Sequence, residues 1–183
     1  MKMKKKKGYT LVEIMIAMVV LVLGLIPLVK LIGDSLVATS DLGSRSVANE
    51  LAQDLLEEIK QRKWDENAGV DGFTTTLSAI GLDGETATDK TTFDDIDDYN
   101  ALQGTNVEKP PKDASNTAMP QYSKFTRSVR VRYMRYDAPT QTFVVDAGVQ
   151  NYKQIEVTVS WSSGGGKTRN VIHQTIMANI ARR

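Results

Sequence analysis

Glu13 is the residue whose chemistry most needs explaining. It stands near the start of residues 11–32, a run that is apolar apart from Glu13 and Lys30. A carboxylate in an apolar phase is costly, and it normally has a positive partner or a function. The surrounding frame, Lys7-Gly8-Tyr9-Thr10-Leu11-Val12-Glu13, supplies a partner. A cut between Gly8 and Tyr9 frees an amine on Tyr9 and makes Glu13 the fifth residue, one helical turn away. Within one chain, or between axially staggered neighbours, that amine and the carboxylate can neutralise each other. The competing reading is a glutamate at the headgroup interface of a plain signal anchor.

The apolar run must position this pair. It has 22 residues, and a bilayer core needs roughly 20 helical residues, so the run can span a membrane. Five lysines precede it, Lys2, Lys4, Lys5, Lys6 and Lys7, which favours a cytoplasmic N-terminus and an outward C-terminal domain. A cleaved secretory signal has a shorter apolar core and a small-residue site after it. Here the cut lies before the run, so the run is kept. Gly24 and Pro27 fall inside it, and a helix break is expected there, because Pro27 has no N–H for the carbonyl of Leu23. The Gly43–Ser44 pair is a second weak point.

The segment from Lys7 to Glu13 resembles the class III signal of type IV pilins and type II secretion pseudopilins. The resemblance implies that a membrane-embedded aspartyl prepilin peptidase cleaves after Gly8 and methylates the new amine of Tyr9. It further implies that Glu13 acts in filament assembly, together with other pilin or pseudopilin subunits and an inner-membrane assembly platform. Tyr9 departs from the phenylalanine usual at that position. Two further stretches are similar to PilV-type minor pilins: residues 48–66, A-N-E-L-A-Q-D-L-L-E-E-I-K-Q-R-K-W-D-E, and residues 92–99, T-F-D-D-I-D-D-Y.

The helical pattern continues beyond the apolar run. Val47, Leu51, Leu55 and Ile59 recur every four residues beside Ala48 and Ala52, with polar residues on the other faces, as in an amphipathic helix. Lys60, Arg62 and Lys63 suit its C-terminal end. Residues 64–121 are rich in Gly, Thr, Asp and Asn and read as a long loop, either functional or disordered. Strands follow. Phe125, Val129, Val131 and Tyr133 share one face, interrupted by Arg127. Ile155, Val157, Val159 and Trp161 alternate with polar residues. Ile172, Ile176 and Ile180 share a face after the glycine-rich turn 162–167, so residues 152–180 read as a hairpin, with a short extra strand at 142–146. The expected fold is α+β and pilin-like: a long N-terminal helix packed on a C-terminal antiparallel sheet. Its parts are a leader (1–8), a membrane and filament-core helix (9–33), an amphipathic continuation (34–63), an acidic loop region (64–121) and the sheet (122–183).

Charge is segregated. Residues 64–122 hold 12 acidic and 3 basic side chains, a net −9, and residues 123–183 hold 10 basic and 3 acidic, a net +7. Either the two regions face each other or neighbouring subunits, or they are two solvated faces. Asp94, Asp95, Asp97 and Asp98 form a dense carboxylate cluster, open to calcium or to a solvated or salt-bridged turn. Arg127, Arg130, Arg132 and Arg135 lie near Tyr133 and Tyr136, a composition seen in nucleic-acid binding, but pairing with the acidic loop is the preferred reading over DNA. The sequence Gly164-Gly165-Gly166-Lys167-Thr168 lacks phosphate-loop spacing. His173 is the single histidine and the chain has no cysteine, which excludes disulfides and a His/Cys zinc site. It is placed on the polar face of the last strand, towards solvent. No nucleophile–base pair stands out, and an enzyme is not expected.

The functional expectation is a minor pilin that assembles into a type IV pilus after cleavage, in assembly, priming or surface decoration, with roles in motility or cell adhesion. Alternatives are a minor pseudopilin of a type II secretion system and a filament-displayed adhesin or DNA-binding module. Before assembly the chain sits in membrane lipid of the inner membrane, its C-terminal domain periplasmic; afterwards it reaches the cell surface. N-terminal sequencing and intact mass of the mature protein should show a chain that begins at Tyr9 with a methylated amine. A start inside or beyond residues 11–32 would contradict this.

Overall fold

The computed structural model of the chain describes residues 8–163 and 166–180. The leader residues 1–7 and the turn residues Gly164 and Gly165 lie outside that set. The chain divides into two compact units between Leu42 and Gly43.

The first unit is the N-terminal part of helix α1, Leu11–Lys60. Every side chain from Leu11 to Ser40 is exposed within the chain, so this stretch has no core of its own. It is long and apolar enough to cross a membrane. The break expected at Gly24 and Pro27 does not occur, and α1 also runs on through Gly43 and Ser44. A proline inside a helix removes one i→i−4 hydrogen bond while the rest of the ladder persists, and apolar membrane helices tolerate that loss.

The second unit begins with the rest of α1. Ser44, Ala48, Leu51, Ala52, Leu55, Leu56 and Ile59 are buried, at the three- and four-residue spacing of a helix face. This face packs with one side of a four-stranded antiparallel sheet of order β2-β1-β3-β4. The strands are β1 (Phe125–Asp137), β2 (Thr142–Val145), β3 (Tyr152–Ser162) and β4 (Thr168–Ala178). In register, Val129 faces Val157 and Phe125 faces Trp161. The inward residues of β1 and β3 are those the alternation marks out: Phe125, Val129, Val131, Ile155, Val157, Val159 and Trp161 are all core.

Strand β4 corrects the sequence reading. Its pairing sets Val157 opposite His173 and Val159 opposite Val171. That turns His173 towards α1, 3.1 Å from Asn49 Oδ1, and leaves Ile172 and Ile176 exposed, as is Ile180 beyond the strand. Apolar and polar residues are mixed on both faces of β4, so its own pattern does not choose the inner one. The register with β3 does.

Residues 61–124 carry only three short 3-10 turns, Asp98–Ala101, Gly104–Asn106 and Pro120–Tyr122, yet they are packed. Phe93, Ile96, Tyr99 and Leu102 belong to the core, with Phe93 and Tyr99 edge to face at 5.1 Å. Short bridges tie Lys63 to Asp95 and Glu108 to Arg127.

The β4 register gives a direct test. Ile155 is fully buried, and Ile155→Ala should destabilise the chain by about 2–5 kcal/mol. Ile172→Ala, on the outer face, should change stability by less than about 1 kcal/mol. Denaturant unfolding of the full chain in detergent reads both, and equal losses would place Ile172 inside.

Candidate functional site

The N-terminal site is built by the start of α1. Gly8, Tyr9 and Thr10 precede the helix and are exposed. The N–H of Glu13 donates to Thr10 Oγ1 at 3.3 Å and to the Thr10 carbonyl at 3.1 Å. Thr10 therefore caps the helix with its hydroxyl, in the Thr-x-x-Glu spacing that favours helix starts. The sequence reading missed Thr10, although that spacing was visible in it. Glu13 stands in the first turn, where a negative charge complements the helix dipole. A free amine on Tyr9 would add positive charge at the same end. Tyr9, Glu13, Ala17 and Leu21 follow one another at helical spacing and line a shallow recess with Ile14 and Met18. The recess offers an apolar seat around a single carboxylate.

Several charged residues of the second unit are buried and paired with one another. Lys153 points inward from β3 and is fully buried. Its Nζ donates to Asp97 Oδ2 and to the Trp64 carbonyl, both at 2.7 Å, and lies 3.8 Å from Asp65 Oδ2. It also sits over the Trp64 ring at 4.7 Å. Asp65 is itself buried, which opposes its charge, but hydrogen bonds from Ser78 and Asn67 outweigh this and hold its carboxyl below the usual range. Arg127, also buried, pairs with Glu108 at 2.6 Å and donates to the carbonyls of Leu51 in α1 and Lys112. Lys90 bridges Glu58 of α1 at 3.2 Å and Glu108 at 3.3 Å. Tyr99 donates to Glu58 at 2.9 Å.

The structure shows partners for three of the four arginines. Arg127 meets the acidic segment through Glu108, as expected. Arg132 and Arg135 instead pair with acids carried by the sheet and its turns, Glu156 for the first and Asp137 and Asp146 for the second. Arg127 is buried on the inner face, whereas Arg130 and Arg132 share the outer face of β1. The sequence reading missed Lys153 and Lys90, the two fully buried lysines among the described residues.

The aspartates of 94–98 separate as well. Asp97 goes to Lys153. Asp98 Oδ2 accepts the N–H groups of Asp94 and Asp95, and Asp95 Oδ1 accepts those of Asp97 and Asp98. The four carboxylates are therefore not ligands of one centre. Burial pushes both Asp95 and Asp98 up to about 7, with the neighbouring Asp97 adding to the shift of Asp95. Asp94 and Asp95 instead approach Glu66, Asp83 and Glu85.

An apolar helix long enough to span a bilayer, capped at Thr10 and carrying Glu13 in its first turn, leads into an α+β unit, the architecture of a protein with one N-terminal membrane anchor. The family model described as the prokaryotic N-terminal methylation motif matches residues 3–29. With the long apolar helix and the fold, the chain fits the type IV pilin and pseudopilin superfamily. The motif implies processing by prepilin peptidase and assembly with other pilins, fits inner-membrane anchoring, and indicates a structural subunit and not an enzyme. No curated protein and no solved structure matches the chain.

The buried lysine supplies a further test. Lys153→Met leaves Asp97 and Asp65 without their cation, and removal of one partner of a buried pair destabilises by about 3–5 kcal/mol. Adding Asp97→Asn should recover part of that loss, because the two residues are coupled. Unfolding free energies of the single and double variants measure it.

Proposed function

We propose that this chain is a minor pilin, a structural subunit built into a type IV pilus after its leader is removed. The carrying observation is the frame Gly8-Tyr9-Thr10-Leu11-Val12-Glu13 at the capped start of a membrane-length helix. One further observation supports the choice of a minor pilin. The segments 48–66 and 92–99, whose sequences resemble PilV-type proteins, pack against each other. Backbone bonds join Lys63 N–H to the Asp94 carbonyl and Ile96 N–H to the Lys63 carbonyl, and Tyr99 bonds Glu58. The two stretches thus form one local structure.

In this reading the N-terminus faces the cytoplasm and the second unit the periplasm. The peptidase reaches Gly8 because residues 8–10 precede the helix and are exposed. Once cut, the Tyr9 amine stands at the positive end of the helix dipole, and a carboxylate one turn on offsets it. On leaving lipid for the filament, the exposed apolar face of α1 exchanges acyl chains for neighbouring helices. An unpaired carboxylate opposes that burial, while one paired with a neighbour's amine favours a single axial register.

Glu13→Val should leave membrane insertion and cleavage after Gly8 intact, while processed protein accumulates in the inner membrane. Glu13→Gln should be milder, because it keeps the shape and hydrogen bonding. Fractionation of sheared filaments separates these outcomes. Recovery of Glu13→Val in filaments at the normal level would show that the charge pair is dispensable. Absence of the wild-type chain from sheared pili would favour a secretion pseudopilin.

A further inference from the structure

Five carboxylates from three separate segments converge in the second unit. Glu66 follows α1, Asp83 and Glu85 belong to the loop beyond it, and Asp94 and Asp95 open the acidic turn. They form two overlapping groups that share Glu66: Glu66, Glu85 and Asp94, and Glu66, Asp83 and Asp95. Within each group one carboxylate oxygen per residue lies within 4.8 Å of the others.

The second observation is Asp95 itself. Its residue is 1% exposed. One carboxylate oxygen, Oδ1, accepts two backbone N–H groups, while the other, Oδ2, is buried and accepts no hydrogen bond. Burying a carboxylate oxygen without a donor is unfavourable, and its neighbours Glu66 and Asp83 are acceptors too. Asp94 Oδ1 is likewise buried with no hydrogen-bond partner. Lys63 lies 3.0 Å from Asp94 Oδ2, and the charge of Lys153 also reaches Asp95.

We propose that Glu66, Asp83, Glu85, Asp94 and Asp95 bind a calcium-class divalent cation, with Asp95 Oδ2 as the buried ligand. The donor set is all oxygen, with no histidine or sulfur to favour zinc. Calcium accepts six to eight oxygens at about 2.3–2.6 Å, in irregular geometry and from mixed carboxylates. Opposed ligands then stand at most about 5.2 Å apart, and oxygens that lie within 4.8 Å of one another fall inside that limit. Magnesium demands a tighter octahedron and keeps its water. The ion ties the end of α1, the 83–85 loop and the 94–95 turn together. The sequence run of four aspartates is thus not the site: two of them supply ligands, and three ligands come from elsewhere.

The test uses the full chain in detergent, stripped with EGTA. Addition of 1 mM calcium chloride, on the order of the levels that extracellular sites bind, should raise Tm by about 5 °C. Sodium chloride at equal ionic strength and magnesium chloride should give much smaller shifts. The variant Glu66→Gln/Asp83→Asn replaces two exposed acids with neutral isosteres. Its calcium-free Tm should equal or exceed that of the wild type, since like-charge repulsion falls, and this verifies that it folds. Its calcium-dependent rise should be lost, and direct calorimetric titration should show affinity weakened at least tenfold. No calcium-dependent rise in the wild type would overturn the proposal. So would a rise retained in the double variant, or one reproduced by sodium chloride.

Discussion

Lys153 carries a charge on the inward face of β3, where water does not reach, and a charge so placed has to be neutralised within the fold. Asp97 and the Trp64 carbonyl do this, with Asp65 behind them. None of these partners lies in the sheet. Their positions draw the start of the irregular segment and its acidic turn onto the same face of the sheet that α1 covers. Arg127 repeats the arrangement one strand over, through Glu108 and the carbonyls of Leu51 and Lys112. Phe93, Ile96, Tyr99 and Leu102 can fill the core because these ion pairs hold the backbone that bears them. A segment poor in regular structure thereby gains a defined conformation without a disulfide, in a chain with no cysteine.

Buried ion pairs of this kind add little net stability compared with apolar side chains of the same volume, because both partners lose their water. What they contribute is selection among alternatives. A misplaced loop leaves Lys153 or Arg127 buried and unpaired, which is strongly unfavourable, so misregistered packings are excluded. Such exclusion keeps the outer surface, with the exposed Ile172 and Ile176, in one conformation.

The first unit obeys a different solvent. Its apolar residues are exposed within the chain, so lipid or other helices must cover them. In that setting Pro27 is accommodated inside α1 and Glu13 gains its meaning, because a lone carboxylate counts for far more in an apolar phase than at a wet surface. Thr10 adds a local role, capping the helix beside the proposed cleavage position.

The sequence by itself determined what depends on neighbours along the chain. Gly8, Tyr9 and Glu13 fall within six consecutive residues, and the apolar run follows directly, so the N-terminal chemistry could be read as a string. Strands β1 and β3 were legible because each is a central strand with one buried face, which imposes strict alternation on residues such as Ile155, Val157, Val159 and Trp161. Only the tertiary structure decided the rest. Edge strand β4 has mixed faces, and its inner one is chosen by pairing with β3, which brought His173 in and put Ile172 out. The partner of Lys153 stands 56 residues away, and no local pattern encodes a match over that distance. For the same reason the run Asp94–Asp98 looked like one cluster in sequence. In the fold it divides three ways, because each carboxylate answers to whichever cation, N–H group or acid the other segments bring beside it.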